Sequence, residues 1–153
     1  MMKSHDDHHK PYMRLLGMTA LSFVSMYILM YAMVNAFPNV LNSINQVYMA
    51  GLMTAPMVLI ELALMRDMYP DQRLNAIVAG VSVLALILFF VAIRTQAFVG
   101  NTQFLRSMIP HHSGAILMCS RAKLEGSELT TLCQNIIKSQ AEEIAQMRRL
   151  LDK

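Results

Sequence analysis

Tryptophan is absent from this chain, and cysteine occurs twice. Two cysteines exclude a multi-bridge disulfide framework. Charge is scarce as well: 15% of the 153 residues are charged, against roughly 25% in an average soluble domain. From Leu15 to Phe98 the charged residues are limited to Glu61, Arg66, Asp67, Asp71, Arg73 and Arg94. An ordinary water-soluble domain is thereby excluded. The net charge of +3 is scattered and forms no basic stripe for nucleic acid. GxSxG, P-loop and HExxH patterns are missing, and so are the Glu-x-x-His pairs of a di-iron bundle, so no enzyme is expected. Strand-like alternation, repeats and low-complexity tracts are absent too, which leaves an all-α fold.

Hydrophobic residues are what the chain has in excess, at 55%, with 15 methionines among them. Three runs, 15–37, 46–65 and 74–93, are almost free of charge, Glu61 being the sole exception. A helix needs about 20 apolar residues to cross the hydrocarbon core, so each run predicts a membrane span. The first is too long for a signal-peptide core and reads as retained. Pro56 in the second predicts a kink. Lys3, Lys10 and Arg14 precede the first span, Arg66 and Arg73 lie between the second and third, and the 38–45 loop has no Lys or Arg. The positive-inside rule then places the N-terminus in the cytoplasm and, after three crossings, the C-terminus on the opposite side. Arg94 is the one dissenting charge. The expected organisation is a His-rich cytoplasmic tail (1–14), a three-helix membrane region (15–98) and a polar C-terminal part (99–153).

The C-terminal part carries apolar residues at helical spacing on both sides of Gly126, with Ser127 as candidate N-cap. This predicts an antiparallel helix pair. Pro110 either kinks the first helix or lies near its start. Two helices of about 50 residues bury little, so the pair is expected to form a four-helix bundle with a second copy or to dock on a neighbour.

The first of these helices brings Met108, His111, His112, Met118 and Cys119 into an arc of about 120°, together with Phe104 and Ala122. The inner stripe of the second holds Leu129, Leu132, Cys133, Ile136, Ile144, Met147, Leu150 and Leu151, and also Gln140 and Glu143. Folding symmetrically at Gly126 sets Cys119 opposite Cys133, His112 opposite Gln140, and Met108 level with Ile144. The cysteines are therefore placed for a bridge, although facing helices hold many such pairs too far apart. Thioether sulfur is soft and selects Cu(I), and imidazole suits copper in either state. Gln140 and Glu143 are candidates to orient the imidazoles. The plain alternative is that the methionines fill core.

Other candidates are weaker. His5, Asp6, Asp7, His8 and His9 form a divalent-metal motif or a solvated tail. Met49, Met53, Met57, Glu61 and Met65 recur every four residues, and Met26, Met30 and Met33 nearly so. They form either a soft-metal route with Glu61 facing the bundle interior or ordinary helix packing.

The stretch from Phe104 to Met118, FLRSMIPHHSGAILM, together with Ile136, Ile137, Gln140, Glu143, Ile144, Met147 and Leu150, resembles the domain-of-unknown-function 305 family. The resemblance covers roughly residues 100–151. It implies a ferritin-like helical bundle and kinship with periplasmic copper- and silver-binding proteins of bacteria. The ligands it implies here are Met108, His111, His112, Met118 and Met147, with Cu(I) or Ag(I) as the bound ion. Cys119 departs from the small residue usual there, and one helix pair stands where a complete bundle has two. Together these readings predict a bacterial inner-membrane protein with a periplasmic metal-binding hairpin, a homodimer by expectation. The rival is a membrane-anchored assembly module without metal.

Overall fold

The computed structural model describes residues 6–153, with side chains from Lys10 onward. Five α-helices make up the fold, and the described residues contain no strand: α1 (Asp6–Leu29), α2 (Ile44–Leu64), α3 (Gln72–Thr95), α4 (Asn101–Arg121) and α5 (Ser127–Leu151). Short 3-10 turns occupy Met30–Met33, Phe37–Asn39 and Arg66–Met68. Lys10–Met33, Ile44–Leu64 and Gln72–Thr95 are each long and apolar enough to cross a membrane. The first helical run stops short of the predicted residue 37. Pro38 cannot continue a helix, having no N–H and clashing with the preceding turn, and Val34 is already extended. α2, by contrast, continues through Pro56. Of the expected His-rich motif, His5 lies outside the described residues, and only the backbone of residues 6–9 is described.

The chain forms two compact units. One consists of α1 up to Ile28 together with Val47–Ala97; the other joins Leu29–Gln46 to Phe98–Lys153.

In the first unit, α2 buries Ala50, Gly51, Thr54, Ala55, Val58 and Leu62. These are mostly small residues, which let helices approach closely. At Gly51 a Cβ would run into the Phe89 ring, which would have to shift to admit it. Thr19, Thr54 and Ser82 return their hydroxyls to the carbonyls of Leu15, Ala50 and Val78, one turn earlier, which satisfies them within their own helices. Of the methionine ladders, Met49, Met53 and Met65 are exposed while Met57, Met26 and Met30 are half-buried, and the Thr54 hydroxyl lies 3.6 Å from Met26 Sδ.

Glu61 is held by the loop that follows α2. The Tyr69 hydroxyl donates to Glu61 Oε1 at 3.2 Å, Asn75 Nδ2 donates to the Tyr69 carbonyl at 2.8 Å, and the Tyr12 hydroxyl donates to Asn75 Oδ1 at 2.8 Å. Asp71 caps α3, accepting from the Arg73 and Leu74 amides. Burial pushes the Tyr69 phenol above its ordinary value, and the Glu61 charge adds to the shift. An acid raised in the folded state keeps its full stabilising effect below the unfolded value of about 10 and loses it as pH rises through the folded one. An alkaline titration followed at the tyrosinate band should therefore show one of the five tyrosines ionising last. The Tyr69→Phe variant should lack that step. Simultaneous ionisation of all five would contradict this account of the loop.

In the second unit, α4 and α5 run antiparallel around a core of Ile109, Ile144 and Met147, with Leu41, Leu105, Met108, Ile116 and Leu151 packed against it. Gly126, at φ +94°, supplies the backbone that starts α5. Its carbonyl accepts from the Thr130 amide at 3.2 Å and hydroxyl at 2.9 Å. Ser127 is thus the first residue of α5 and not its cap.

The hairpin's neighbour is its own chain. The Asn35 amide donates to Ser113 Oγ at 2.9 Å, and the Ser113 hydroxyl donates back to Asn35 Oδ1. Arg148 Nη2 donates to the Pro38 carbonyl at 2.6 Å and to Asn39 Oδ1 at 2.7 Å. The Ile44 amide donates to Gln103 Oε1 at 2.9 Å. Segment 29–46, which hydropathy alone divides between two spans and a loop, therefore lies along α4 and braces both helices of the hairpin.

Candidate metal site

The closed end of the hairpin is set by a disulfide. Cys119 and Cys133, symmetric about Gly126, are joined, with Cα atoms 5.2 Å apart. This fixes the register of the facing positions.

Two turns toward the open end lies His112, 8% exposed. Its Nδ1 is 2.9 Å from the Met108 carbonyl oxygen. A carbonyl only accepts, so Nδ1 carries a hydrogen. Nε2 lies 2.7 Å from Glu143 Oε2, a hydrogen bond that needs a second proton, held on Nε2 or on the carboxyl group. The partner is thus Glu143 and not Gln140, as simple facing levels predict. The reason is the backward tilt of helical side chains. The His112 ring projects toward the level of Ile109, and residue 143 faces that level across the turn. Glu143 itself is half exposed, and this is its one hydrogen bond among the described residues.

The five proposed ligands are divided by the structure. Met147 is buried in the core with Ile109 and Ile144, and half-buried Met108 packs against the same cluster. Met108 lies one helical turn from His112 on α4, and Met147 one turn from Glu143 on α5. His111 is exposed on the rim, its ring centroid 6.1 Å from that of His112. Met118 is 53% exposed and ten residues from Met108, about 15 Å along the helix, too far to share an ion with it. Phe104, Leu129, Leu132 and Leu150 are also exposed, as is Ala122, which lies just past the end of α4. The inner stripe is narrower than periodicity suggests because a helix pair buries a seam and not a broad face.

Among the described residues no three His, Cys, Asp or Glu side chains converge as a metal-holding group. The soft donors on this stretch of the hairpin are the thioethers of Met108 and Met147, in the apolar cluster, and beside them in sequence stands the His112 imidazole, its ring oriented by the Met108 carbonyl and Glu143. That set fits a soft monovalent ion better than Zn(II). Sequence reasoning missed Asn35, Asn39, Ser113 and Arg148, which hold the 29–46 segment against this end of the hairpin. The adjacent Ser113 and Gly114, both buried, were the available signal.

Residues 91–151 match the family described as "Domain of unknown function (DUF305)". An uncharacterized protein of Acanthamoeba polyphaga mimivirus is 33% identical over 141 residues, covering 90% of this chain and 91% of its own length. No solved structure matches the chain. The viral relative is similar across the apolar helices as well as the hairpin, and with the domain match beside that full-length similarity, the chain belongs to the DUF305 family.

Proposed function

We propose that the α4–α5 hairpin binds Cu(I) or Ag(I) through Met108, Met147 and His112, as cargo for buffering or handover in copper homeostasis. The observation that carries this reading is that Met108 and Met147 share one cluster, each one helical turn along its helix from His112 or its partner Glu143, and that the buried His112 ring already has its Nδ1 engaged. Such a ring presents Nε2 in a set direction, as in metal sites where the second ring nitrogen is hydrogen-bonded. Glu143 stands on Nε2, and metal binding there releases to water the proton the two share, the half-exposed carboxylate turning aside to yield the nitrogen. His111 is a reserve donor on the rim. Met118 reaches an ion only across a second copy, and exposed Leu129 and Leu132 give a homodimer its apolar contact.

In the same reading α1–α3 anchor the hairpin to a membrane, with α4 and α5 on the extracytoplasmic side. In a bacterium that is the periplasmic face of the inner membrane. Support comes from the Lys and Arg bias of the loops and from the Cys119–Cys133 bridge, since disulfides persist in oxidising compartments.

A second reading is favoured by the saturation of His112 itself: both ring nitrogens have partners in the protein, and Met147 is enclosed by isoleucines. On that reading the hairpin is an assembly module whose Met and His residues only pack. A Cu(I) competition titration separates the two. The whole chain is the sample, because segment 29–46 braces the hairpin. Wild-type protein should bind Cu(I), and the His111→Ala/His112→Ala and Met147→Leu variants should each bind it at least tenfold more weakly. Equal binding by all three leaves the packing reading.

A further inference from the structure

We propose that Phe37 and Phe98 are interfacial anchors that insert their rings into the headgroup layer of a bilayer, holding the second unit against the membrane surface. The proposal rests on the reading of α1–α3 as membrane spans.

Both rings are 88% exposed, more than any other large apolar side chain among the described residues. Both belong to the second unit. An exposed phenylalanine in water leaves its apolar surface unburied, and two such residues ask for a covering phase.

The backbone says which phase is within reach. Phe37 follows Met33, the end of the first candidate span, by four residues, and the chain re-enters a span at Ile44. Phe98 follows Thr95, the end of the third, by three. Even fully extended, these tethers span at most about 14 and 11 Å, and each begins by turning back on its helix. Beyond Met33 the Val34 amide bonds back to the Tyr31 carbonyl. Beyond Thr95 the Ala97 amide bonds back to the Ala92 carbonyl at 2.9 Å. The headgroup layer is roughly 5–7 Å deep on each side of the hydrocarbon. Rings tied this closely to span ends lie at its depth, where aromatic side chains concentrate.

Two local features point the same way. Asn35 and Asn39 commit their polar groups to Ser113 and Arg148, while Phe37 between them is left uncovered. Phe98 holds φ +57°, a left-handed backbone that bulky residues avoid. Burial of the ring in lipid offsets that unfavourable backbone, whereas exposure to water would not.

The natural chain has no tryptophan, so a single introduced indole is the sole reporter. Full-length Phe37→Trp, Phe98→Trp and, as a mid-span control in α3, Leu84→Trp are reconstituted in phosphatidylcholine vesicles. Part of the lipid is brominated either near the carboxyl end or near the methyl end of its acyl chains. The indoles at positions 37 and 98 should emit to the blue of aqueous tryptophan and lose most of their emission to the shallow bromines. The indole at position 84 should be quenched more by the deep ones. Water-like, unquenched emission at 37 and 98 with quenching at 84 would overturn the proposal and leave the spans standing. Blue-shifted but unquenched emission at 37 and 98 would overturn it too, a protein surface then covering the rings. Absence of quenching at all three positions would end the spanning reading and this proposal with it.

Discussion

Breaking the Cys119–Cys133 bridge, by reductant or by the Cys119→Ser/Cys133→Ser variant, is expected to lower the opening free energy of the α4–α5 hairpin by about 3 kcal/mol. The bridge joins residues 14 apart in sequence, and in the chain-entropy account a loop of that size is stabilised by this amount. The figure matters because a helix pair has little core of its own. Native-state hydrogen exchange on the full chain in a bilayer reads the effect at the amides of Ile109 and Ile144, near the open end. Protection there should fall together with that of the bridged end. Unchanged protection would mean that segment 29–46 alone holds the pair. Two free thiols on denaturing fresh, unreduced protein would remove the bridge from the account.

Truncating Ile109 to alanine is expected to destabilise the second unit by about 2–5 kcal/mol, the range for deleting a fully buried aliphatic side chain. Ile109 is 0% exposed at the centre of the core it shares with Ile144 and Met147. Leu41 comes to that core from segment 29–46, so the cavity would loosen the brace as well as the hairpin. Leu132→Ala is the contrast: its exposed side chain predicts a change of roughly 0.5 kcal/mol or less. Exchange measurements on both variants decide the matter. Equal effects would refute the narrow seam between α4 and α5. A small effect at Ile109 would refute this core altogether.

Composition and spacing determined a good deal by themselves. The scarcity of charge in 15–37, 46–65 and 74–93 marked three apolar helices, because each run has about the length a helix needs to cross the hydrocarbon core. Symmetry about Gly126 set Cys119 opposite Cys133, since a glycine turn sets the hairpin's register from inside the hairpin, but only the structure brings their Cα atoms to 5.2 Å. Helical periodicity brought Met108, His112 and Met147 to the inner side of the pair. All of these are local properties, legible within a turn or two of each residue.

Tertiary structure alone decided the rest. The contact of Asn35 with Ser113 joins residues 78 apart, and no spacing rule links them. That contact is what turns a marginal helix pair into a braced unit. The choice of Glu143 over Gln140 for His112 depends on the backward tilt of side chains on two opposed helices, which a count of facing positions ignores. Apolarity likewise does not distinguish a buried residue from an exposed one on a helix that is apolar all round. On α2 the small residues Gly51 and Ala55 are buried while Met49 and Met53 are exposed. Met118 and Leu132 are exposed because one partner helix covers one seam, and the remaining faces of α4 and α5 turn to whatever surrounds them.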